Sequence, residues 1–477
     1  MHPSAFRNKN AIPYIATALV LVLCLCRPFP SVQSAAPSDA YDGWKQLPEI
    51  LKRIVPPSFP NRDFPITQYG AKGDGLTDCT EAFRKAIDAC VLAGGGRVVV
   101  PAGTYVTGAI HLKSNVNLHV GEDAVIRFSS DPAKYLPVVF TRWEGVECYN
   151  YSPFIYAFEQ VNIAITGTGV LDGRADSTAW WSWTGNRRFG WGSGSPNQKP
   201  DRTELQEMAE KDVPVEQRIF GEGHWLRPNF IQPYRCRNVL IEGITIQNSP
   251  MWEIHPVLCT NVTVRGVRVV SHGPNNDGCD PESCTDVLIE NCMFDTGDDC
   301  IAIKSGRNAD GRRLNTPSQN IVIRGCTMKD GHGGVVIGSE ISGGTRNVFA
   351  ENCVMDSPNL DRVLRIKTNS VRGGAVENVY MRNITVGQVA EAVILIDFFY
   401  EEGDSGPHLP VVRHIYVQNV KSQKSRYGVY FRGYERSPID DVILEDCEFN
   451  NVKQGNVVSH VSGLVMKRVF INGQMQP

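Results

Sequence analysis

Short apolar runs of period two, each closed by Gly, Asn or Asp, recur along most of this 477-residue chain, and no helix-period repeat fits them. The clearest copies are Asn238–Gly243, Asn261–Gly266, Asp286–Asn291 and Asn320–Gly325; further copies open at Asn347, Asn378, His414 and Asp441, with an earlier relative at Asn162. Their starts lie 23 to 36 residues apart, the longer steps carrying loop insertions. Each unit holds two or three short strands that cannot bury a face alone, whereas stacked units bury a continuous column of side chains. The pattern therefore predicts an all-β chain, a single-stranded right-handed parallel β-helix, with the Asn and Asp that open the units forming a turn ladder. Cys292, Cys326, Cys353 and Cys447 stand where other units carry Ile244, Val267, Ile384 and Val420, so they read as small buried hydrophobes, one per coil, and not as a zinc cluster.

One segment has the other period. From Asp78 to Ala93, Phe83, Ala86, Ile87 and Cys90 recur helically behind a capping residue and stop at Gly94-Gly95-Gly96, which predicts a helix that caps the open end of the column. No Lys-Ser/Thr follows the three glycines, so they are a helix stop and not a phosphate loop. Between about 133 and 235 the repeat gives way to polar and aromatic stretches, including Trp143-Glu144-Gly145, Trp180-Trp181-Ser182-Trp183 and Gly223-His224-Trp225. Such loops would wall a groove, their rings either facing sugars or packing on one another.

Composition adds compartment and partners. Arg7 and Lys9, an apolar stretch Ala11–Cys26 and the small-residue exit Ser34-Ala35-Ala36 have the layout of a secretory signal, predicted as residues 1–36 and too short to span a bilayer. Residues 37–60 read as a linker and 61–477 as the β-helix domain, in a secreted or periplasmic protein with no stable membrane insertion. The net charge of −3 and the lack of a basic block with interleaved aromatics argue against a nucleic-acid surface. Twelve of the 14 cysteines follow the expected cleavage point, and in an exported chain Cys279 with Cys284, or Cys79 with Cys90, are the disulfide candidates.

The candidate chemistry lies at the starts of matching runs. Cys279–Ser283, Ile301–Ser305, Val335–Ser339 and Leu364–Thr368 occupy the same place in successive units. Asp277 enters the first, Asp298-Asp299 the second and His332 the third; the fourth alternates so that Leu364 and Ile366 share one face, Arg365 and Lys367 the other. Lys304 falls level with Lys367. Glycoside hydrolysis needs a carboxylic acid for the leaving oxygen and carboxylates for water or nucleophilic attack. Repulsion within an adjacent pair such as Asp298-Asp299 would keep one member protonated. Standing alone, the pair also reads as turn residues or calcium ligands, a reading that Asp277, His332 and the cationic strand weaken. Three cations beside the acids suit a sugar carboxylate, hence an acidic, uronate polymer.

From about Phe64 onward these motifs resemble glycoside hydrolase family 28, the polygalacturonases. Asn275-Asn276-Asp277, Gly297-Asp298-Asp299, Gly331-His332-Gly333 and Arg365-Ile366-Lys367 are similar to its catalytic motifs, with Asn276 the one departure from its Asn-Thr-Asp. The opening Tyr69–Gly75 and Val100–Tyr105 resembles the start of many pectin-active, pectin-lyase-like β-helices. The resemblance implies Asp298 as general acid, Asp277 and Asp299 as holders of the attacking water, inversion at the anomeric carbon and no cofactor or metal. It further implies that His332 orients the acid, and that Arg365 and Lys367, with Asn275 and Lys304 beside them, bind substrate. Tyr400 and Tyr430 are alternatives for a tyrosine that often completes the subsite. Trp143–Tyr151, Asp280–Cys284 and the long loops resemble bacterial exo-acting members. The expectation is an exo-polygalacturonase acting on galacturonan; endo action or rhamnogalacturonan or xylogalacturonan hydrolysis is the alternative, and a calcium-dependent pectate lyase or a non-catalytic polysaccharide-binding β-helix lies further off.

Overall fold

Alternation along each repeat becomes a coil in the computed structural model, which describes residues 42–477. The expected signal segment lies outside the described residues. Every inter-coil pairing in the column is parallel: Arg237–Glu242 pairs with Thr260–Arg265, then with Thr285–Glu290, Ser318–Arg324, Thr345–Glu351, Ala375–Val386, Val411–Ser422 and Ile439–Glu445 in turn. The register stacks Ile241, Val264, Ile289, Ile323, Ala350, Met381, Val417 and Leu444 in one buried file. Each such aliphatic side chain withdrawn from water contributes about 1.5–3 kcal/mol. This is the right-handed parallel β-helix that the repeat predicts. Cys292, Cys326, Cys353 and Cys447 lie inside it, all buried.

The residues that open the units form a ladder at a backbone bend. Asn162, Asn238, Asn261, Asp286, Asn320, Asn347, Asn378, His414 and Asp441 all have φ between 49° and 59°, a left-handed conformation that Asn and Asp tolerate because their short polar side chains bond locally. Their amides bond from coil to coil: Asn238 to Asn162 and Asn261 to Asn238 at 2.8 Å, Asn320 to Asp286 at 2.9 Å, Asn347 to Asn320 at 3.1 Å.

Helix α2, Thr80–Leu92, buries Ala82, Phe83, Ala86, Ile87 and Cys90 over the first coils, with the Asp78 carboxylate accepting the Thr80 amide at its start. The described part of the segment read as a linker is not extended. It forms a 3-10 turn, Asp42–Gln46, and helix α1, Leu47–Arg53, whose Leu47 and Ile50 pack with Ile54 on Leu288, Val322, Phe349 and Tyr380. Arg53 then reaches the ladder, donating to both Asp286 oxygens at 2.7 and 3.0 Å.

The disulfide expectation does not hold: the twelve described cysteines are free and buried. Cys284 belongs instead to a file of thiols, the Cys236 amide donating to Cys259 Sγ and the Cys259 amide to Cys284 Sγ, each at 3.4 Å. Cys79, at the start of α2, and Cys90, on its buried face, pack into the core.

The interrupted stretch builds its own core. Strands Val139–Trp143 and Val146–Asn150 form an antiparallel hairpin, and helix α3, Gln198–Glu210, packs Leu205 and Ala209 against Trp143, Val146, Phe220 and Trp252. Of the two roles open to its aromatics, Trp180 and Trp183 take the structural one: they are buried, 4.8 Å apart between ring centroids, with Trp225 against Trp183.

Candidate active site

A second sheet carries the site. Cys279–Glu282 bridges to Ile301–Lys304, followed in register by Val335–Ile337, Arg362–Lys367, Ala392–Asp397 and Tyr427–Arg432. Leu364 and Ile366 enter the core while Arg365 and Lys367 face outward, as alternation requires. The outward face is not a solvated one, however: Lys304, Arg365 and Lys367 keep 2%, 9% and 6% of their exposure, because the insertions rise around them.

Turns bring the acids to the strand mouths. Asn276, the motif's departure, is a buried clamp: its carbonyl oxygen accepts from Ser271 Oγ at 2.6 Å and the Gly273 amide at 2.8 Å, and its amide donates to the Ser249 carbonyl. Arg227 fixes the residue before it, donating to Asn275 Oδ1 at 2.7 Å and to the Pro274 carbonyl at 2.8 Å, while its Nε holds Gln198 of α3. The His332 amide donates to the Asp298 carbonyl at 3.0 Å, seating the histidine one coil beyond the acid. Gly331, at φ 153°, is required there, since a Cβ would lie 2.6 Å from the Asp298 carbonyl oxygen.

Asp277, Asp298 and Asp299 converge so that one oxygen from each lies within 4.8 Å of the others. Their surroundings differ. Asp299 is fully buried, its oxygens receiving Lys367 Nζ at 2.7 Å and an Arg365 nitrogen at 3.3 Å. Burial pushes its carboxyl up, but Lys367, Arg365 and Lys304 outweigh that and hold it below the usual carboxylate range. Asp277 is nearly as buried, with only Lys304 Nζ at 3.4 Å and its other oxygen unpartnered; burial and the charge of Asp298 raise it well above that range. Asp298 is the accessible member, its Oδ1 2.9 Å from His332 Nδ1. Bonding to Asp298 and attraction to its charge lift the imidazole to about 9, against the opposing effect of burial.

This charge distribution adds to the sequence reading. Within the adjacent pair Asp299 is the member held anionic, by Lys367, Arg365 and Lys304, and the carboxyl raised well above the usual range is Asp277. The cations explain it: two of the three pair with Asp299, and the adjacent side chains diverge, one toward the cations and one toward His332.

All eight residues singled out from the sequence gather here, and Tyr400, not Tyr430, completes the cluster: Lys367 Nζ and Arg365 Cζ lie 5.2 and 5.5 Å from its ring centroid. Tyr430 sits beside Tyr427 and Arg432 instead. Trp252 was not foreseen. Its ring carries Lys304 Nζ at 4.2 Å, and nothing in a non-repeating tryptophan marks it beforehand. Nor was Arg202 foreseen as a groove residue, nor Glu340, 3.5 Å from Lys304 Nζ, whereas Glu144 lies in a stretch read from the sequence as groove wall.

Two adjoining cavities serve the cluster, one of about 370 Å³ over Asp277, Arg365, Lys367, Trp252 and Tyr400 and one of about 850 Å³ between the acids and the 184–202 wall. Polar walls, a convergent acid triad and a row of cations are equipment for an anionic polymer and for proton transfer to a bond within it.

The model for glycosyl hydrolases family 28 matches residues 221–466, which contain every one of these acids and cations. The chain belongs to glycosyl hydrolase family 28. A rhamnogalacturonase A/epimerase, pectate lyase-like model matches residues 64–128, the coils beneath α2. Among solved structures, this family 28 chain is similar to a hyperthermoactive exopolygalacturonase from Thermotoga maritima, 49% identical with a TM-score of 0.89 over 91% of this chain and 97% of that one. A probable polygalacturonase of Vitis vinifera is 28% identical, over 80% of this chain and 73% of that protein. An exo-poly-alpha-D-galacturonosidase of Dickeya chrysanthemi is 29% identical, over 71% of this chain and 57% of that protein.

Proposed function

We propose that this glycosyl hydrolase is a polygalacturonase, cleaving α-1,4-galacturonosyl linkages of galacturonan by inverting hydrolysis and removing units from a chain end, in a secreted or periplasmic setting. The observation that carries the reading is the pairing of three clustered carboxylates with three buried cations in one groove. The cations neutralise acids that otherwise could not share a site, and Arg365 and Lys367 line the groove where a substrate carboxylate would lie. Among the described residues no helix is long and apolar enough to cross a membrane.

In the proposed mechanism Asp298, the accessible acid, gives its proton to the departing oxygen. Asp299, held anionic by Lys367 and Arg365, takes the proton of the attacking water, and Asp277 shares that water. Coupled acids titrate as a cluster. Burial and the charge of Asp298 favour the neutral form of Asp277 in the empty groove, and Asp298 is the member that must carry a proton when the bond breaks. An inverting pair of carboxyls is commonly about 6.5–9.5 Å apart to admit water, and the nearest oxygens here are closer. A third carboxylate meets that need, because water held between Asp277 and Asp299 does not have to fit between Asp298 and a single base. Action from a chain end is supported by the 133–235 insertion, which walls the groove through Glu144, Thr184, Arg188 and Arg202, and by the exo-acting names of two of the relatives.

A calcium-dependent elimination is disfavoured by the charge arrangement, since the ammonium groups of Lys304 and Lys367 stand on the carboxylates a calcium ion would need. Digestion of polygalacturonate with and without chelator tests the reading. Saturated galacturonic acid at equal rates from the earliest times is expected. Unsaturated, ultraviolet-absorbing product that needs calcium would establish a lyase, and a ladder of saturated oligomers would overturn action from the end.

The His332–Asp298 contact has its own check. A raised folded-state pKa keeps the imidazole cationic below about 9 and loses that charge as the pH rises through it. Histidine NMR should find a ring titrating near 9 that falls back toward the ordinary value of about 6.5 in Asp298→Asn. A wild-type midpoint near 6.5 would remove the contact from the mechanism.

A further inference from the structure

Asp298 lines both cavities, so the bond it protonates lies where they meet. Facing it from the inserted wall is Arg202 of α3, which with Glu144 also lines both. Arg202 Nε donates to Glu144 Oε2 at 2.6 Å, the Glu144 side chain being 10% exposed and that of Arg202 36%. The acid is rigidly placed. Glu144 sits at the hairpin tip with φ 42°, and the next residue, Gly145, is pressed so closely on Arg307 that a Cβ there would meet the Arg307 amide nitrogen at 2.7 Å. Among the described residues the two terminal nitrogens of Arg202 make no hydrogen bond. The acids nearest in charge, Glu340 and Glu401, are committed elsewhere, Glu340 to Lys304 and Arg307 and Glu401 to Arg372.

One edge of a planar fork is thus fixed by a buried acid, while its terminal nitrogens have no hydrogen-bond partner among the described residues and the side chain lines both cavities. A guanidinium so presented fits a carboxylate, and galacturonan offers one on every unit. Arg365 and Lys367 lie on one side of Asp298, so a chain crossing the junction brings the neighbouring carboxylate under Arg202.

We propose that Arg202 is a specificity-determining residue that takes the carboxylate of the galacturonate unit across the scissile bond from the unit held by Arg365 and Lys367, so that both units flanking the bond must be unesterified. This rests on the polygalacturonase reading above. Glu144 is its positioning residue, aiming the fork without touching substrate.

The test uses trigalacturonate and its two mono-methyl esters, each esterified on one of the units flanking the cleaved bond. Wild type should discriminate against both esters by about ten- to a hundredfold in kcat/KM, the size of a lost charge-assisted contact. Arg202→Gln should raise KM for the free trimer and abolish discrimination against one ester while keeping it against the other. Glu144→Gln should do the same to a smaller extent, and it carries the test if Arg202→Gln does not fold. Variants that discriminate against both esters as wild type does, or a wild type indifferent to one of them, would overturn the proposal. Failure of wild type to hydrolyse either the free trimer or polygalacturonate is a separate result, which would overturn the polygalacturonase reading and this proposal with it.

Discussion

Asp298→Asn should lower kcat roughly 10²–10⁴-fold, the usual contribution of a positioned general acid, while KM changes little. The reasoning is geometric and electrostatic. Asp298 is the one acid of the three with substantial access to the groove, and its partner His332 is itself half exposed. The amide keeps the shape and an oxygen for His332 but has no proton to give to the leaving oxygen at the moment the bond breaks. A group used mainly in the transition state costs turnover and not binding when it is removed. Steady-state kinetics on polygalacturonate check this. Turnover within about tenfold of wild type, short of the loss expected for a missing acid, would remove Asp298 from the role of acid.

Lys367→Met should be nearly as severe, and in a different way. From sequence, Lys367 is a substrate contact whose loss weakens binding. In the fold it is also the principal partner of Asp299, at 2.7 Å and almost fully buried. Breaking one side of a buried pair costs about 3–5 kcal/mol, and here the cost falls on a carboxylate that must be ionised to take a proton from water. Burial then pushes Asp299 upward with only Arg365 and Lys304 opposing it. A depressed carboxyl that is released loses its anion at a higher pH. The acid limb of kcat/KM should therefore move upward, with kcat falling and KM rising together. A KM effect alone, with an unmoved pH profile, would show that Lys367 serves only substrate.

The repeat made both the fold and the acids legible. Side-chain alternation and the left-handed turn residues are local requirements, repeated coil after coil, so Asn238, Asn261, Asp286 and Asn320 reveal the column and the register that aligns Asp277, Asp298 and His332. What escaped lies where that repetition stops. Arg202 and Trp252 come from the insertion or the coil beside it, and the place that Arg202 and Glu144 take in the groove depends on how the hairpin and α3 pack. The protonation pattern escaped for a related reason: adjacency of Asp298 and Asp299 is written in the chain, but which of them meets Lys367 depends on three coils stacked in space. Tyr400 and Tyr430 are indistinguishable as letters and separated only by the strand register. The exported-protein argument for disulfides gave way to packing, because cysteines at core positions of successive coils fill space as thiols.

The most direct test of the account is time-resolved proton NMR of polygalacturonate during the first turnovers. The account predicts free β-galacturonic acid as the first product, since inversion of an α-linkage delivers the β anomer, with mutarotation to α following and no unsaturated-ring signal. First-formed α anomer would mean double displacement through a covalent intermediate, and an unsaturated product would mean elimination; either would contradict the roles given to Asp298, Asp277 and Asp299.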